Sequence, residues 1–374
     1  MNFSSLPFID FYVSVIDNYG DMGFAVNLAL SLHKKYPDFR IRFFSDDSAL
    51  FQKFFRKGVP EWMEYRLLEE LEKENPITPA NLICNFFDRP LPKMYLARFP
   101  YEKTIISFSY FLLHTGLESL HKTTYVLESG HDRVIHFVPS LLHGGGGVII
   151  NPEIERKKEE ILKISRIEAR SKFLEKISLK IQGDFGLGLK GQNNICEKKW
   201  VSVFVYPETM ESILEGIDYT QEDAVFFVFG NDFLLTNGGH EKIVWMPFLS
   251  LADYGVFQSL CDANVVRGEN SLCQSLISGK PTLWDIYKES NGAHWEKIED
   301  YLVFLKKQFP EARWEEYNNI MRIFNGQKGK ELVFSAFLDF LFWHNEYEEA
   351  FGEISEYVKE ECDLIRKLEE ILEK

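Results

Sequence analysis

The 374-residue sequence has only five cysteines, which are widely separated and include no CxxC pair. An odd number of scattered cysteines predicts free thiols in a reducing cytoplasm rather than a disulfide framework. The sequence also lacks an HExxH motif and any carboxylate cluster with metal-ligand spacing, so we expect no metal. Because it has no GxGxxG fingerprint, a dehydrogenase is only a distant alternative.

Long apolar runs and an excess of basic residues are also missing. No apolar stretch reaches the about 18 residues of a membrane-spanning helix, and no cationic segment precedes the apolar residues at the N-terminus. The net charge is −15, which makes DNA and RNA poor partners because binding them requires a basic face that releases counterions. We therefore expect a cytoplasmic protein with no membrane and no nucleic-acid partner.

What the sequence does contain favours two ordered domains. Hydrophobic residues make up 45% and aromatic residues 15% of a chain that exceeds what one core usually serves. Strand-like segments alternate with amphipathic helical segments, which is typical of parallel sheets covered by helices. The predicted strands are residues 8–16, 40–45, 81–87, 104–109 and 133–138 in the first half, and 200–206, 224–230, 242–248, 264–267 and 282–287 in the second.

A change in composition separates the two halves. Residues 153–176 form a charged segment with helical periodicity, and the glycine-rich residues 183–194 resemble a flexible connector. The predicted fold class is α/β, with a Rossmann-like doubly wound domain at 1–185 and a second at 196–345, facing each other across a cleft. A helical C-terminal segment at 346–374 is expected to pack back on the first domain.

Two aspartates follow the first predicted strand. Asp17 and Asp21 flank Gly20 within a turn-like cluster. A structural interpretation is available, since Asp is a preferred turn and helix-capping residue. A chemical interpretation also fits, because the guanidinium group of an arginine substrate stays protonated and needs anionic partners to orient and deprotonate it. Ligands of open α/β sheets bind at the carboxyl ends of strands, so both aspartates are expected at a cleft-facing edge.

A polar loop follows a predicted strand of the second half. It contains Arg267, Glu269, Asn270 and Ser271 and precedes an apolar helix pattern at 272–279. Asn270 or Ser271 would be a suitable helix N-cap, which explains the loop structurally. The same helix N-terminus also suits an anion, with Arg267 as a forked cation for phosphate and Glu269 as an acceptor for sugar hydroxyls. A departing diphosphate needs this kind of charge stabilisation.

Several aromatic residues lie near the carboxyl ends of the predicted strands of the second half. Phe204 and Tyr206 are two residues apart and therefore share one face of a strand. Phe248 and Tyr254 flank a strand-to-helix turn, and Tyr287 ends a strand. Such rings either belong to the core or stack on a nucleotide base, and their spacing does not decide between the two.

Two weaker features favour structural interpretations. The four-glycine loop at 144–147 offers backbone amides that suit an anion, but a flexible connection is the simpler interpretation. His294 is expected on the surface of a helix.

Two long segments are similar to motifs of the elongation factor P arginine rhamnosyltransferases. Residues 16–32, IDNYGDMGFAVNLALSL, resemble the opening motif of that family, DN-aromatic-GD-x-G followed by a helix. Residues 266–287, VRGENSLCQSLISGKPTLWDIY, resemble its second signature, an RGE(D)S loop and a helix followed by GKP and W-x-IY. Further segments that look like the family, in the same order along the chain, are 136–149, 204–208 and 246–257.

The resemblance implies a GT-B enzyme that takes dTDP-β-L-rhamnose and inverts its anomeric carbon onto a guanidino nitrogen of elongation factor P, without a further cofactor. It implies that the first domain binds the acceptor and the second binds the nucleotide sugar. By position, Asp21 would be the general base, Asp17 its partner in holding the arginine, and Glu269 the donor-side carboxylate. The implied donor-binding residues are Phe204, Tyr206, Phe248, Tyr254, Arg267, Asn270, Ser271 and Tyr287.

The sequence departs from the family pattern at two places. Asn270 stands where the family usually has Asp, which removes a charge near the ribose or phosphate. Val26 and Asn27 stand where the first helix usually has a Trp-Arg pair, which affects the acceptor side. The alternatives are therefore a GT-B transferase with another donor or acceptor, and a non-catalytic nucleotide-sugar-binding protein.

Overall fold

The chain divides into two compact units. The computed structural model describes residues 8–15, 18–72, 77–97, 101–114, 116–127, 132–178, 194–230, 241–290 and 292–372. The first unit comprises Met1–Glu153 and Val358–Lys374, and the second comprises Ile154–Tyr357. Along the described ranges, no helix combines the length and the apolar character needed to cross a membrane.

Twelve strands lie within the described residues. Those of the first unit are β1 Phe8–Val13, β2 Arg40–Ser45, β3 Met63–Leu67, β4 Leu82–Phe86, β5 Thr104–Phe108, β6 Thr124–Val126 and β7 Arg133–Phe137. Those of the second unit are β8 Lys199–Val203, β9 Ala224–Phe229, β10 Ile243–Met246, β11 Ala263–Arg267 and β12 Thr282–Asp285.

Helices connect these strands. The α-helices in the described part of the chain are α1 Asn18–Lys35, α2 Ser48–Phe54, α3 Lys93–Leu96, α4 Pro152–Leu162, α5 Arg166–Ser178, α6 Pro207–Tyr219, α7 Leu251–Leu260, α8 Gly268–Ser278, α9 His294–Lys306, α10 Glu311–Phe324, α11 Val333–Trp343, α12 Glu348–Glu361 and α13 Leu364–Leu372. Short 3-10 turns occupy Leu68–Glu72, Leu117–Leu120, Lys330–Leu332 and His344–Tyr347.

Each unit is built on one mostly parallel sheet. The first sheet has the order β3-β2-β1-β4-β5-β7-β6, and only the β6–β7 pair is antiparallel. The second sheet has the order β10-β9-β8-β11-β12 and is parallel throughout. All six residues of β9, AVFFVF, are buried, as expected of a strand covered on both faces. Both orders are those of doubly wound α/β domains, which confirms the predicted fold class.

Aromatic side chains dominate both cores. In the first unit, the Phe86 and Phe108 rings stack with centroids 5.0 Å apart, and Phe11 lies 5.1 Å from Phe86. In the second, the Trp200 ring lies 4.6 Å from that of Phe227. These rings come from neighbouring strands, so the strands of each sheet pack against one another through aromatic side chains.

Each predicted strand is confirmed, but most of them end earlier than predicted. β8 ends at Val203 rather than at residue 206, and β12 ends at Asp285 rather than at residue 287. Two strands, β3 and β6, were not predicted. β6 is exposed along its whole length and β3 buries only Met63 fully, so neither has the apolar pattern by which strands are recognised.

The division between the units falls at a different place from the predicted one, which was near residues 185–196. In the second unit, Phe173 and Ile177 of α5 pack with Trp200 and Phe257 in a single apolar cluster. The apolar stripe of this highly charged helix therefore belongs to the second core. The predicted helix at 153–176 is two helices, because Ser165 caps α5 by accepting a hydrogen bond from the Glu168 N–H at 3.3 Å.

The predicted C-terminal segment 346–374 is divided between the units, since the first unit resumes at Val358. Leu364 N–H donates to Val148 O at 2.9 Å, and Lys367 Nζ donates to Gly145 O at 2.8 Å. The four-glycine loop is thus not a flexible connection: a Cβ on Gly147 would collide with the Cys362 carbonyl. The predicted connector at 183–194 lies outside the described residues apart from Asn194.

Candidate functional site

The second sheet reverses its direction of winding between β8 and β11. β9 and β10 lie on one side of β8, while β11 and β12 lie on the other. Ligands of open parallel sheets bind outside the carboxyl ends of the strands at such a switch point. The segment 204–206 follows β8, and the segment 267–271 spans the end of β11 and the first turn of α8. Two groups of residues singled out in the sequence therefore meet at the edge where a ligand is expected.

Arg267 ends β11 and lies over two aromatic rings that follow β8. Its guanidinium carbon is 4.3 Å from the centroid of the Phe204 ring and 5.1 Å from that of Tyr206. Its Nη1 also donates to Val205 O at 3.4 Å. A planar, permanently charged guanidinium group is well suited to lie on rings. Phe204 and Tyr206 follow the end of β8 and so do not share the face of a strand as predicted, but both rings contact the same guanidinium group and together position a cation at this edge.

α8 starts directly after Arg267. The predicted N-cap at Asn270 or Ser271 is wrong, because the cap position is Arg267, which makes no side-chain capping bond, and the two polar residues lie in the first turn. Gly268 has a φ of +64°, a left-handed conformation that glycine adopts without steric cost. This turn brings the positive end of the helix next to the Arg267 guanidinium, a combination that suits phosphate.

Glu269, in the first turn of α8, is paired with a lysine that the sequence did not single out. Lys297 Nζ of α9 lies 2.7 Å from Glu269 Oε1, and both side chains are partly exposed. The lysine offsets a negative charge that would otherwise oppose an anion at the end of the helix. Nothing in the local sequence connects these residues, since they meet only in the folded second unit.

Asp285, at the end of β12, is the second residue that the sequence reasoning missed. It is 1% exposed, and its carboxylate accepts hydrogen bonds from the Tyr206 N–H at 2.8 Å and the Thr209 hydroxyl at 3.1 Å. Burial raises the pKa of Asp285 to about 6, although these hydrogen bonds act in the opposite direction. A buried carboxylate thus holds the segment that carries the Tyr206 ring.

The remaining predicted donor-binding aromatics surround this cluster to different degrees. The Tyr254 ring is 6.3 Å from that of Phe204, and burial raises the pKa of the Tyr254 phenol well above its usual range. Tyr287 is 61% exposed, and its ring is 5.7 Å from that of Tyr206. Phe248 is half-buried in the turn between β10 and α7, at the carboxyl edge of the same sheet.

In the first unit, the winding reverses between β1 and β4. α1 starts at Asn18, which is earlier than the helical pattern of the sequence indicated, so Asp21 lies in the first turn of a helix rather than in a loop. Its side chain is buried, with the residue 2% exposed. A carboxylate in the first turn is stabilised by the helix dipole. Asp17 lies outside the described residues.

A turn with unusual backbone angles follows β4 at the same edge. Phe87 and Asp88 have φ angles of +62° and +51°, which cost energy in residues other than glycine and cluster near functional sites. Asp88 Oδ1 accepts a hydrogen bond from the Ser107 hydroxyl at 2.6 Å. Phe24, one turn after Asp21 in α1, has its ring 6.2 Å from that of Phe87. No sequence pattern indicated this turn, because a left-handed phenylalanine has no compositional signature.

His294 is not on the surface, contrary to the prediction. It is 8% exposed at the start of α9, and its Nδ1 accepts a hydrogen bond from the Glu289 N–H at 3.2 Å. In the part of the chain that the structure describes, no group of three or more His, Cys, Asp or Glu side chains could hold a metal ion.

Two doubly wound units, each built on a mostly parallel sheet, are the architecture of the GT-B fold. Residues 9–373 match the family described as Elongation-Factor P (EF-P) rhamnosyltransferase EarP. The protein belongs to this family, which confirms the resemblance seen in the two sequence motifs.

Two relatives agree with this assignment, and a solved structure has a similar fold. A protein-arginine rhamnosyltransferase of Pseudomonas putida is 23% identical over 311 residues, covering 79% of this chain and 80% of the relative. One of Neisseria meningitidis serogroup B is 22% identical over 306 residues, covering 78% and 77%. The fold is similar to that in a structure that explains EarP-mediated arginine glycosylation of translation elongation factor EF-P, with a TM-score of 0.62, 18% identity and 98% coverage of both chains.

Proposed function

We propose that this protein transfers rhamnose from dTDP-β-L-rhamnose to an arginine side chain of elongation factor P, with inversion at the anomeric carbon. Membership of the EF-P rhamnosyltransferase family supports the reaction class and the acceptor. The donor is proposed from the resemblance of the two sequence motifs and from the chemistry of the second unit.

The observation that carries the proposal is the position of Arg267. Its guanidinium group lies on the Phe204 and Tyr206 rings, at the switch point of the second sheet. The residue itself directly precedes the first residue of α8. The positive charge of such a site binds a diphosphate, and its aromatic rings pack against a base or a sugar. The first turn of α8 adds Asn270 and Ser271, whose polar side chains are assigned to the diphosphate.

The proposed reaction is a single displacement. A guanidino nitrogen of the acceptor attacks the anomeric carbon, and the C–N bond forms while the bond to the diphosphate oxygen breaks. dTDP leaves with the electron pair, and its growing charge is stabilised by Arg267 and the helix end. Asp21 takes the proton from the attacking nitrogen, with Asp17 helping to hold the guanidinium group. Glu269 binds sugar hydroxyls, and Lys297 compensates its charge.

The assignment of Asp21 as the base is supported by its environment. Asp21 is buried in the first turn of α1, where the helix dipole favours a carboxylate. Charged hydrogen bonds to an incoming guanidinium are strong where water is excluded. The proposal gives the base to the first unit and the diphosphate site to the second.

The test compares Asp21→Asn with wild type in two measurements. Mass spectrometry of elongation factor P after incubation with dTDP-β-L-rhamnose reports transfer of a deoxyhexose to arginine, and calorimetry with dTDP reports donor-site binding. Loss of a general base is expected to slow transfer by about 10²–10⁴-fold and to leave the dTDP Kd within about twofold of wild type. Asp38→Asn is the control, because Asp38 is an exposed carboxylate beyond the other end of α1.

The outcomes separate the alternatives. Equal loss of dTDP binding and transfer in Asp21→Asn would show that the residue is structural. Wild-type protein that binds dTDP but transfers nothing in a single turnover would be a non-catalytic nucleotide-sugar-binding protein. Transfer to a different acceptor or from a different donor would retain the fold and class but overturn the proposed substrates.

A further inference from the structure

We infer that Asp285 is a positioning residue that holds the Phe204–Tyr206 segment in the conformation that receives the nucleotide-sugar donor. The inference rests on the proposed function only for the identity of the ligand. The contacts that support the positioning role join β12, the segment after β8 and the start of α6, and they do not depend on which ligand binds.

The Asp285 carboxylate holds the start of α6, a helix that has no side-chain N-cap. Tyr206 occupies the N-cap position of α6 but makes no side-chain capping bond, and Pro207 follows it. The two carboxylate oxygens of Asp285 instead accept the Tyr206 N–H and the Thr209 hydroxyl. One side chain from a distant strand therefore fixes both the start of α6 and the backbone of Tyr206, near the positive end of that helix.

These hydrogen bonds also fix the position of the segment whose aromatic rings lie beneath Arg267. β11 lies between β8 and β12, and Arg267 is the register partner of Asp285. The carboxylate thus reaches past Arg267 to the segment whose rings support the guanidinium group. If the Tyr206 backbone shifted, the ring under Arg267 and its contact with Tyr287 would shift with it.

Burial of this charge is costly, which indicates a role beyond packing. Its hydrogen-bond donors are a neutral N–H and a hydroxyl rather than a cation. Lys288 and Glu208 are the charged groups that influence it, and they act in opposite directions, so burial still raises the pKa. An asparagine would fill the same volume without the cost of a buried charge. The charge strengthens the bond to the Tyr206 N–H, which an amide oxygen would hold more weakly.

The test uses the full chain with dTDP as the probe. Asp285→Ala removes both hydrogen bonds and is expected to raise the dTDP Kd about 10-fold, as for loss of a hydrogen bond to a charged group. Asp285→Asn, whose oxygen still accepts the Tyr206 N–H and whose amide faces Thr209, is expected to recover only part of this loss, because an amide oxygen holds that N–H more weakly than a carboxylate does. At saturating donor, the transfer rate of Asp285→Ala should stay within about threefold of wild type, because a positioning residue affects binding more than the chemical step.

The pH dependence provides a readout that a packing role would not change. The carboxylate accepts both donors only when deprotonated, so wild-type dTDP binding should weaken as the pH falls through about 6, the raised pKa of Asp285. Asp285→Asn has no such titration and should retain only the pH dependence of the phosphate groups of dTDP. Identical pH profiles of dTDP binding for wild type and Asp285→Asn would contradict the positioning role.

The control for general destabilisation is Ser275→Ala. It removes a buried hydrogen bond between Ser275 and Thr282, at the amino-terminal end of the same strand β12, and should leave the dTDP Kd unchanged. The inference is overturned if Asp285→Ala binds dTDP as well as wild type does, or if Ser275→Ala weakens binding equally.

Failure of the proposed function would look different. If wild-type protein neither binds dTDP nor transfers rhamnose, the assigned donor is wrong, and amide hydrogen exchange of the segment 204–209 then decides the inference. Faster exchange of the Tyr206 amide in Asp285→Ala than in wild type and Ser275→Ala would support the positioning role. Unchanged exchange would refute it.

Discussion

At the scale of single residues, Arg267 is a side chain that its neighbours hold in place and that is proposed to bind the diphosphate. Its guanidinium group lies over Phe204 and Tyr206 and donates to Val205 O, so two ring contacts and one hydrogen bond fix the position of the side chain. A fixed cation loses little entropy when an anion binds. The ring contacts therefore contribute to ligand binding without touching the phosphate.

This view predicts the behaviour of Arg267→Lys. Lysine keeps the charge but lacks the planar group that lies on two rings, so the dTDP Kd is expected to rise about fivefold, equivalent to ~1 kcal/mol. Calorimetry measures the change. The control is Arg166→Lys, since Arg166 is a half-exposed member of an ion pair with Asp262 in the same unit. Unaltered binding by Arg267→Lys would show that the charge alone matters.

At the scale of secondary structure, α8 is bounded by two left-handed glycines. Gly268 has a φ of +64° at its start and Gly279 a φ of +70° at its end. A Cβ on Gly268 would lie 3.8 Å from the Tyr206 hydroxyl, and one on Gly279 would lie 3.4 Å from Ser355 Cβ, so neither meets a severe clash. Both positions therefore require glycine mainly for backbone conformation.

The two glycines form a matched pair for mutation. Gly268→Ala and Gly279→Ala are each expected to destabilise the fold by about 1 kcal/mol, because alanine is strained in the left-handed region. Only Gly268→Ala should also weaken dTDP binding, since it disturbs the end of α8 that adjoins Arg267. Thermal unfolding and calorimetry measure the two effects. Equal loss of affinity in both variants would contradict a diphosphate site at the N-terminus of α8.

At the scale of the whole molecule, the C-terminus completes the first unit. Residues from Val358 onward belong to it, and α13 buries an apolar face of Leu364, Ile365, Leu368, Ile371 and Leu372. Glu369 pairs with Lys35 at 2.6 Å and also accepts a hydrogen bond from Tyr36. The first unit is therefore made from two separate parts of the chain.

The consequence is that a mutation near the C-terminus should act on the N-terminal sheet. Leu368→Ala is expected to destabilise the first unit by about 2–5 kcal/mol, as for other buried leucines, and to leave dTDP binding unchanged. Hydrogen exchange should accelerate in β1 and β4 but not in β8 and β11. Leu276→Ala, at a fully buried position of α8, should give the reverse pattern. Uniform acceleration in either variant would mean that the units do not unfold separately.

Much of this architecture was predictable because it is encoded locally. Buried strands such as β9 are continuous apolar runs, and the polar loop from Arg267 to Ser271 lies between a strand and a helix pattern. The family motifs follow directly from residue order. The predicted roles of Asp17, Asp21, Glu269 and the aromatic residues stay predictions until the variants are measured.

Other features depend on residues that are distant in the sequence. The apolar stripe of α5 is hidden among charges, so the sequence placed the division between the units too late. The early start of α1 buries Asp21, although the surrounding DNYGD segment is typical of a turn. Edge strands such as β6 carry no apolar pattern because they cover no core.

The sequence by itself determined the fold class, most strands and the polar segment at the end of β11, because periodicity, turn residues and helix patterns act over a few neighbouring positions. Only the tertiary structure decided that Asp285 holds Tyr206, that Lys297 pairs with Glu269 and that the Phe204 ring supports Arg267. Those partners come from different strands and helices, and the order of strands in a sheet brings them together without leaving a local pattern in the chain.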